Sequence, residues 1–475
     1  MSVTKTNSFV KNFSILSAGE IISHAISMLT NILLARLLSP ESFGEYTLLL
    51  TYIFIFYTVS SLGLRQVIIR LIARNQSNSK YLFYYSVFLR IIGFVFSMLV
   101  FFVYDLFYNP GLSNFLILAL FAGVFVQTAW ETLQNVAFGM QRMEWTSIIN
   151  VVGNFFLLGL YLVLPKNYCS VIVVVVLYVF VFLLKDFAYL ISLYKFHLLT
   201  GKWKLKNNYW GPSRKLLAES FPFYVLAIFS LFSNQIPIIF LQNNSNLTEV
   251  AYYNTANKLM LPITMLVSTT ISAVYPVFAK NYVSDMELFA KQVKNVLSLF
   301  TIIGIFGCLI ITFFRNEMVY IIYGEMYKNT GDVMAYQCWY TVMLTVFSLI
   351  GNVFGAADRQ KLLALTSIAY ACVNVPILYY FSFYGAVGLA IGTIVASVIN
   401  MTYNYYYLWK TVEGKISVGF TIKIFAILVL SFFISMLLPD FNFYIKTSFA
   451  LLSVLILIKY RKYLLSLVDV KILNK

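Results

Sequence analysis

Apolar runs long enough to cross a membrane recur along the whole 475-residue chain, with only short polar segments between them. About 20 residues of α-helix span the hydrocarbon core of a bilayer. Because almost every run reaches that length, the pattern predicts an all-α polytopic membrane protein. It has about 14 transmembrane helices, near residues 13–37, 46–64, 81–107, 112–138, 146–164, 168–195, 216–241, 251–278, 293–314, 332–354, 362–382, 384–409, 417–438 and 444–465.

The polar patch between the first two runs has the chemistry of a helix start. Ser39 is a good N-cap residue and Pro40 suits the first helical position, while Glu41 favours the positive end of the helix dipole. One helix is therefore predicted to end near Leu38 and the next to begin directly after it.

Composition supports a membrane protein. Of the residues, 60% are hydrophobic, 18% are aromatic and only 11% are charged, whereas a soluble chain carries roughly a quarter charged residues. The four cysteines have neither metal nor redox spacing, so no metal site is predicted, and no cofactor either.

Basic residues alternate from one side of the predicted membrane to the other. With the N-terminus in the cytoplasm, 25 of the 34 lysines and arginines fall in inner segments and four in outer segments. The positive-inside rule therefore places both termini in the cytoplasm. The basic charge reflects topology, and no soluble platform for nucleic acid is present, so nucleic-acid binding is not predicted.

Two stretches resemble each other at an offset of 217 residues. "QNVAFGMQRMEWTS" and "GNVFGAADRQKLLALTS" both place Asn-Val seven residues before an arginine, at Asn135/Arg142 and Asn352/Arg359. A fainter match pairs Tyr46 with Tyr253. The repeat predicts two pseudo-symmetric six-helix lobes, at 1–197 and 216–410, with a basic cytoplasmic linker at 198–215. Residues 411–475 then supply two additional helices and a basic tail. Parallel repeats with a site between them are typical of alternating-access transporters.

The stretch "ARLLSPESFGEYTLLLT" resembles the first extracytoplasmic turn of the polysaccharide-transport flippases, A-R-x-L-G-P-E-x-F-G-x-Y, with Ser39 in place of the usual glycine. The second half adds, in the family's order, "AYYNTANKLMLPITMLVSTTISAVYPVFAK", "IIYGEMY", "GAADRQ" and "YGAVGLAIGTIVAS". This family belongs to the multidrug/oligosaccharidyl-lipid/polysaccharide exporter superfamily.

The resemblance implies two bundles around a central cavity in the bacterial cytoplasmic membrane. It implies translocation of an undecaprenyl-diphosphate-linked oligosaccharide from the inner to the outer leaflet for O-antigen, capsule or exopolysaccharide assembly. The expected partners are that lipid-linked glycan, the bilayer, and the polysaccharide polymerase and chain-length machinery.

Two cations lie within predicted spans, where an unpaired charge costs about 2.5–3.5 kcal/mol on insertion scales. Arg90 and Lys258 are predicted to line a cationic cavity and to bind the diphosphate in turn. The alternatives are a structural ion pair for Arg90 and snorkelling to the outer interface for Lys258. Pro262 cannot donate a hydrogen bond to the carbonyl of Lys258, so it is a candidate hinge or an architectural kink.

Three further residues are candidates near the first helix. Glu20 and His24 share a helix face and form either a proton-coupling pair or a charge partner for Arg90 or another basic residue. Arg36, in the family motif, either contacts substrate or stabilises the turn. Lys185 and Asp186 are interpreted as an interfacial pair.

Other classes of protein fit less well. A multidrug or cation antiporter has the same superfamily fold but favours deep acidic residues. A membrane polymerase or glycosyltransferase needs a larger outer loop than any predicted here. The chain contains no G-x-x-x-x-G-K-[ST] motif, so ATP hydrolysis is not expected and the chain is predicted not to be an enzyme.

Overall fold

The computed structural model of the protein describes residues 3–108, 111–200, 210–437 and 446–447. All regular elements in these ranges are helical. The chain divides into two compact units, Met1–Ile238 and Ile239–Lys475.

The described residues of the first unit form eight α-helices, and all but one of them are long. They are α1 (Val3–Leu37), α2 (Pro40–Ser61), α3 (Leu64–Arg74), α4 (Ser79–Tyr108), α5 (Asn114–Gly139), α6 (Glu144–Val163), α7 (Val171–Lys195) and α8 (Trp210–Asn234). Short 3-10 helices lie at Gln76–Asn78 and Lys166–Tyr168. Helix α2 packs against α4 and α5, α5 against α7, and α1 along α6.

The second unit begins within a short helix. The helices within its described residues are α9 (Ile236–Asn244), α10 (Leu247–Ser284), α11 (Met286–Phe313), α12 (Arg315–Tyr323), α13 (Thr330–Ala356), α14 (Gln360–Ser382), α15 (Gly385–Thr411) and α16 (Val418–Leu437), with a 3-10 helix at Glu325–Tyr327. Helix α10 packs against α13, and α15 packs against both α13 and α14.

The described residues contain 12 helices that are long and apolar enough to span a membrane, judged by length and composition. They coincide with the first 12 predicted spans, and α8 and α9 together form the seventh. The predicted span at 417–438 coincides with α16. Apart from Lys446 and Thr447, the predicted span at 444–465 lies outside the described residues.

The predicted cap at the start of α2 is confirmed. The Ser39 hydroxyl accepts a hydrogen bond from the Ser42 backbone N–H at 3.2 Å, and Pro40 is the first helical residue. This cap satisfies one of the N–H groups that a helix start leaves without an intrahelical partner. The chain can therefore reverse direction between α1 and α2 within two residues.

The sequence repeat has a structural cause in the turns that end α5 and α13. Gln141 and Asp358, 217 residues apart, both adopt left-handed backbone conformations, with φ of 59° and 55°. In each turn the following arginine donates its backbone N–H to a carbonyl five residues earlier, Arg142 to Ala137 and Arg359 to Phe354, both at 2.9 Å. These hydrogen bonds satisfy carbonyls that a helix end leaves free.

Helix α8 packs against α3 within the first unit. The predicted lobes at 1–197 and 216–410, with a linker at 198–215, stay a prediction. Gly63, with φ of 65°, makes this approach possible, because a Cβ there would lie 2.5 Å from the Tyr224 backbone nitrogen. The contact boundary therefore falls after α8.

Helix α3 lies where the sequence predicted only a cytoplasmic loop. Its apolar residues Leu64, Val67, Ile68 and Ile72 are buried, and they recur at helical spacing. They pack in a core with residues of α4, α5 and α7. Helix α3 is thus an amphipathic helix whose apolar face is covered by protein.

Candidate functional site

Arg90 is held in a buried ion pair between α4 and α5. Its Nη2 lies 2.7 Å from Oε2 of Glu131, and the two side chains are only 2% and 7% exposed. Its Nη1 donates to the backbone carbonyl of Thr128 at 2.9 Å. Arg90 therefore forms the structural ion pair that the sequence analysis gave as an alternative. Its role in binding substrate stays a prediction.

The same carboxylate has a second basic neighbour, Arg65, near the start of α3. Arg65 Nη1 lies 4.0 Å from Glu131 Oε1 and donates to Gln134 Oε1 at 2.8 Å. The Arg65 guanidinium carbon also lies 5.4 Å from the centre of the Phe138 ring, a cation–π contact. Glu131, Gln134 and Phe138 recur at helical spacing on one face of α5.

Lys185 in α7 has a different kind of environment from the predicted interfacial pair. Its Nζ donates to Asn150 Oδ1 at 2.7 Å and to Asn154 Oδ1 at 3.3 Å, both on α6. It also lies 4.1 Å from the centre of the Phe182 ring and 4.9 Å from that of Trp130. Lys185 is therefore solvated by amide oxygens and aromatic faces inside the first unit.

Two neighbours complete this second cluster. Gly153 of α6 provides the space for the lysine stem, because a Cβ there would lie 2.5 Å from the Lys185 side chain. The Asp186 carboxylate is buried and, among the residues the structure describes, has no hydrogen-bond partner. Asp186 is thus adjacent in sequence to the cation but does not hold it.

Lys258 of α10 is half-buried in the second unit. Within the described part of the chain, no hydrogen-bond or ion-pair partner contacts its amino group. Asn254 lies one helical turn away on the same face and is also half-buried. Unlike the buried cations of Arg90 and Lys185, this half-buried ammonium therefore has all of its N–H donors open to a ligand or to water.

The remaining candidates are exposed. Glu20 and His24 both lie on the exposed face of α1, and the ion-pair partner of Arg90 is Glu131 rather than Glu20. Arg36 is exposed in the last turn of α1, where a cation favours the helix dipole. Pro262 lies inside α10, which continues past it to Ser284. The functional roles of these residues stay predictions.

The sequence analysis singled out the buried cations Arg90 and Lys185 but not the residues that contact them. Glu131 and Gln134 lie 41 and 69 residues from the arginines they contact, so helical periodicity gives no sign of either pairing. The spacing of Asn150 and Asn154, by contrast, is a sequence pattern that could have been used. Two amides four residues apart on an apolar helix share one face and need buried partners.

Groups of three or more His, Cys, Asp or Glu side chains placed to hold a metal ion do not occur among the described residues.

The fold is that of multi-pass helical transporters. The chain aligns with lipid II flippase MurJ in an inward closed conformation with a TM-score of 0.69 and 15% identity, covering 94% of this chain and 99% of MurJ. It aligns with an inward-facing multidrug resistance MATE family transporter of the MOP superfamily with a TM-score of 0.64 and 16% identity, covering 82% and 95%.

The chain belongs to the polysaccharide biosynthesis protein family, whose profile matches residues 9–282. It is 22% identical over 416 residues to the capsular polysaccharide biosynthesis protein CapF of Staphylococcus aureus, covering 85% of this chain and all of CapF. An uncharacterised membrane protein in the cps region of Klebsiella pneumoniae is 25% identical over 130 residues, which is 27% of this chain and 26% of that protein.

Proposed function

We propose that the protein is a flippase that moves undecaprenyl-diphosphate-linked oligosaccharide units from the inner to the outer leaflet of the bacterial cytoplasmic membrane. The units would serve surface polysaccharide assembly, such as O-antigen, capsule or exopolysaccharide. The observation that carries this proposal is the combination of two findings. A member of the polysaccharide biosynthesis family has the helical fold that a lipid II flippase also has.

The charged residues support an anionic cargo. Lys258 is a half-buried cation within a long apolar helix and retains its hydrogen-bond donors. A cation in such a position is costly unless it meets water or an anion. A diphosphate offers several oxygen acceptors to an ammonium group and balances its charge. Lys258 is therefore the best-supported substrate contact among the residues proposed from the sequence.

The negative charge of the diphosphate group determines how it would move in a transport cycle. In an alternating-access cycle, the diphosphate group would contact the protein's cations while the isoprenoid chain stays in lipid. An inside-negative potential favours outward movement of an anion by about 2.3 kcal/mol per charge per 100 mV. The membrane voltage would therefore assist export without ATP. Both termini would lie in the cytoplasm, as the charge distribution predicts.

The test is leaflet-resolved labelling of a lipid-linked oligosaccharide in vesicles that contain the purified full-length protein. We expect Lys258→Met to slow translocation by about tenfold through loss of a charge-assisted contact. The matched control is Lys280→Met, since Lys280 is an exposed lysine on the same helix. Wild-type protein that leaves all label on one leaflet would refute the flippase assignment.

A multidrug or cation antiporter is the second candidate, because a MATE family transporter shares the fold. Drug susceptibility of a strain that lacks the gene distinguishes the two. Sensitisation to cationic drugs with normal surface glycan supports the antiporter, whereas loss of surface glycan with unchanged drug susceptibility supports the flippase.

A further inference from the structure

The cluster around Glu131 contains one more positive charge than negative charge. Arg90 lies against one carboxylate oxygen at 2.7 Å, and Arg65 approaches the other at 4.0 Å. A carboxylate carries a single charge, and the closer, fully buried arginine accounts for it. Among the described side chains, the positive charge of Arg65 is therefore left largely uncompensated.

Arg65 is held in place without all of its donors being used. Gln134 Oε1 accepts a hydrogen bond from Nη1, and the Phe138 ring lies against the guanidinium. One edge and one face of the Arg65 guanidinium are therefore fixed. The side chain is 36% exposed. Among the described residues, Nε and Nη2 have no hydrogen-bond partner. A guanidinium offers five N–H donors in a planar fork, so an open edge remains for a ligand.

Local backbone geometry places this side chain next to α5. Leu62 and Gly63 are successive left-handed residues, with φ of 52° and 65°, and they turn the chain sharply between α2 and α3. Arg65 is the second residue of α3. Its guanidinium is therefore presented beside α5, whereas Arg70 pairs with Glu219 at 2.6 Å and Arg74 is exposed at the end of α3.

We propose that Arg65 is an anion-binding residue of the first unit and that it takes a phosphate or diphosphate group. An oriented guanidinium with a free edge matches the oxygens of a phosphate through two parallel hydrogen bonds. The assignment of this anion to a lipid-linked glycan rests on the proposed function. Arg65 would then have the role that was predicted for Arg90, whose guanidinium is neutralised by Glu131.

The test measures binding of inorganic pyrophosphate and of farnesyl diphosphate to the full-length protein in lipid nanodiscs by calorimetry. We expect Arg65→Gln to weaken binding of both probes by about tenfold or more, since the variant loses a charge-assisted contact. Arg65→Lys keeps the charge but loses the fork, and is expected to bind with intermediate affinity. Arg74→Gln on the same helix is the matched control and should stay within about twofold of wild type.

The outcomes separate this inference from the proposed function. Tighter binding of farnesyl diphosphate than of pyrophosphate, with both dependent on Arg65, identifies a lipid headgroup as the ligand. Equal affinities with the same dependence identify a free-anion site. If Arg65→Gln and Arg74→Gln bind both probes equally well, the inference is wrong, even where wild-type protein translocates lipid-linked oligosaccharide. Arg65-dependent binding in a protein that translocates no glycan would retain the anion site and reject the flippase.

Discussion

Arg90 and Lys258 are cations at the same distance from the first residue of their helices, but their surroundings are opposite. Each is the eleventh residue after the first residue of its helix, Ser79 in α4 and Leu247 in α10, or about 17 Å along the axis. Arg90 is fully buried against Glu131 and the Thr128 carbonyl. Lys258 is half-buried and, among the described residues, has no such partner.

This difference distinguishes two roles of a charged residue within a membrane segment, helix packing and ligand binding. A paired and hydrogen-bonded charge contributes to the packing of helices, and removing one member leaves the other uncompensated. A charge that retains its donors contributes little to packing and is available to a ligand. Stability and binding measurements on the two residues should therefore give opposite results.

The largest expected effect is on stability, from Glu131→Gln. This change leaves the Arg90 charge buried without its counter-ion and should lower the free energy of unfolding by about 3–5 kcal/mol. The measurement is equilibrium unfolding of the purified protein by SDS titration in mixed micelles. The double variant Arg90→Met with Glu131→Leu should recover most of the loss, because apolar residues of similar volume replace both charges. A loss below about 1 kcal/mol for Glu131→Gln would contradict the structural role of the pair.

A smaller loss is expected from Asn150→Leu, which removes the closer amide oxygen from Lys185. The buried ammonium then lacks one acceptor, at a cost of about 1–3 kcal/mol. Asn154→Leu provides a graded comparison, since its contact with Lys185 is 3.3 Å rather than 2.7 Å. The same unfolding titration should rank Asn150→Leu as the more destabilising. The reverse order would mean that the Lys185 ammonium is held mainly by Asn154.

The smallest stability effect is expected from Lys258→Met. No partner among the described side chains is lost, and an apolar side chain replaces a charge, so the free energy of unfolding should change by less than about 1 kcal/mol. The same variant is expected to slow translocation strongly. A loss of several kcal/mol would place Lys258 with Arg90 as a packing residue and remove the contrast between the two.

Much of the fold could be predicted because membrane helices leave long apolar runs. The first 12 predicted spans coincide with spanning helices, since length and hydropathy alone define such segments. Helix α3 was missed because it has only 11 residues. Its apolar residues Leu64, Val67, Ile68 and Ile72 nevertheless follow helical spacing, which a shorter window detects.

The site was less predictable, because its contacts join distant parts of the chain. The sequence identified Arg90 as a charge that needs a partner and offered Glu20 as a partner for it or for another basic residue, whereas the carboxylate that Arg90 contacts is Glu131. It interpreted Lys185 and Asp186 as an interfacial pair, whereas the hydrogen-bond acceptors of Lys185 are side chains of α6. Periodicity reports which residues share a helix face, and only tertiary packing decides which helix that face meets.

The groups around the Lys185 ammonium resemble a binding site for a small cation, and this has a consequence for the first unit. Two amide oxygens and two aromatic faces surround this ammonium much as they would surround a small dissolved cation. Because the ammonium is covalently attached to α7, its occupancy there does not vary with the sodium or potassium concentration of the medium. The junction of α5, α6 and α7 thus contains a cation that belongs to the chain itself, in a place where a dissolved ion would otherwise have to be drawn from the medium.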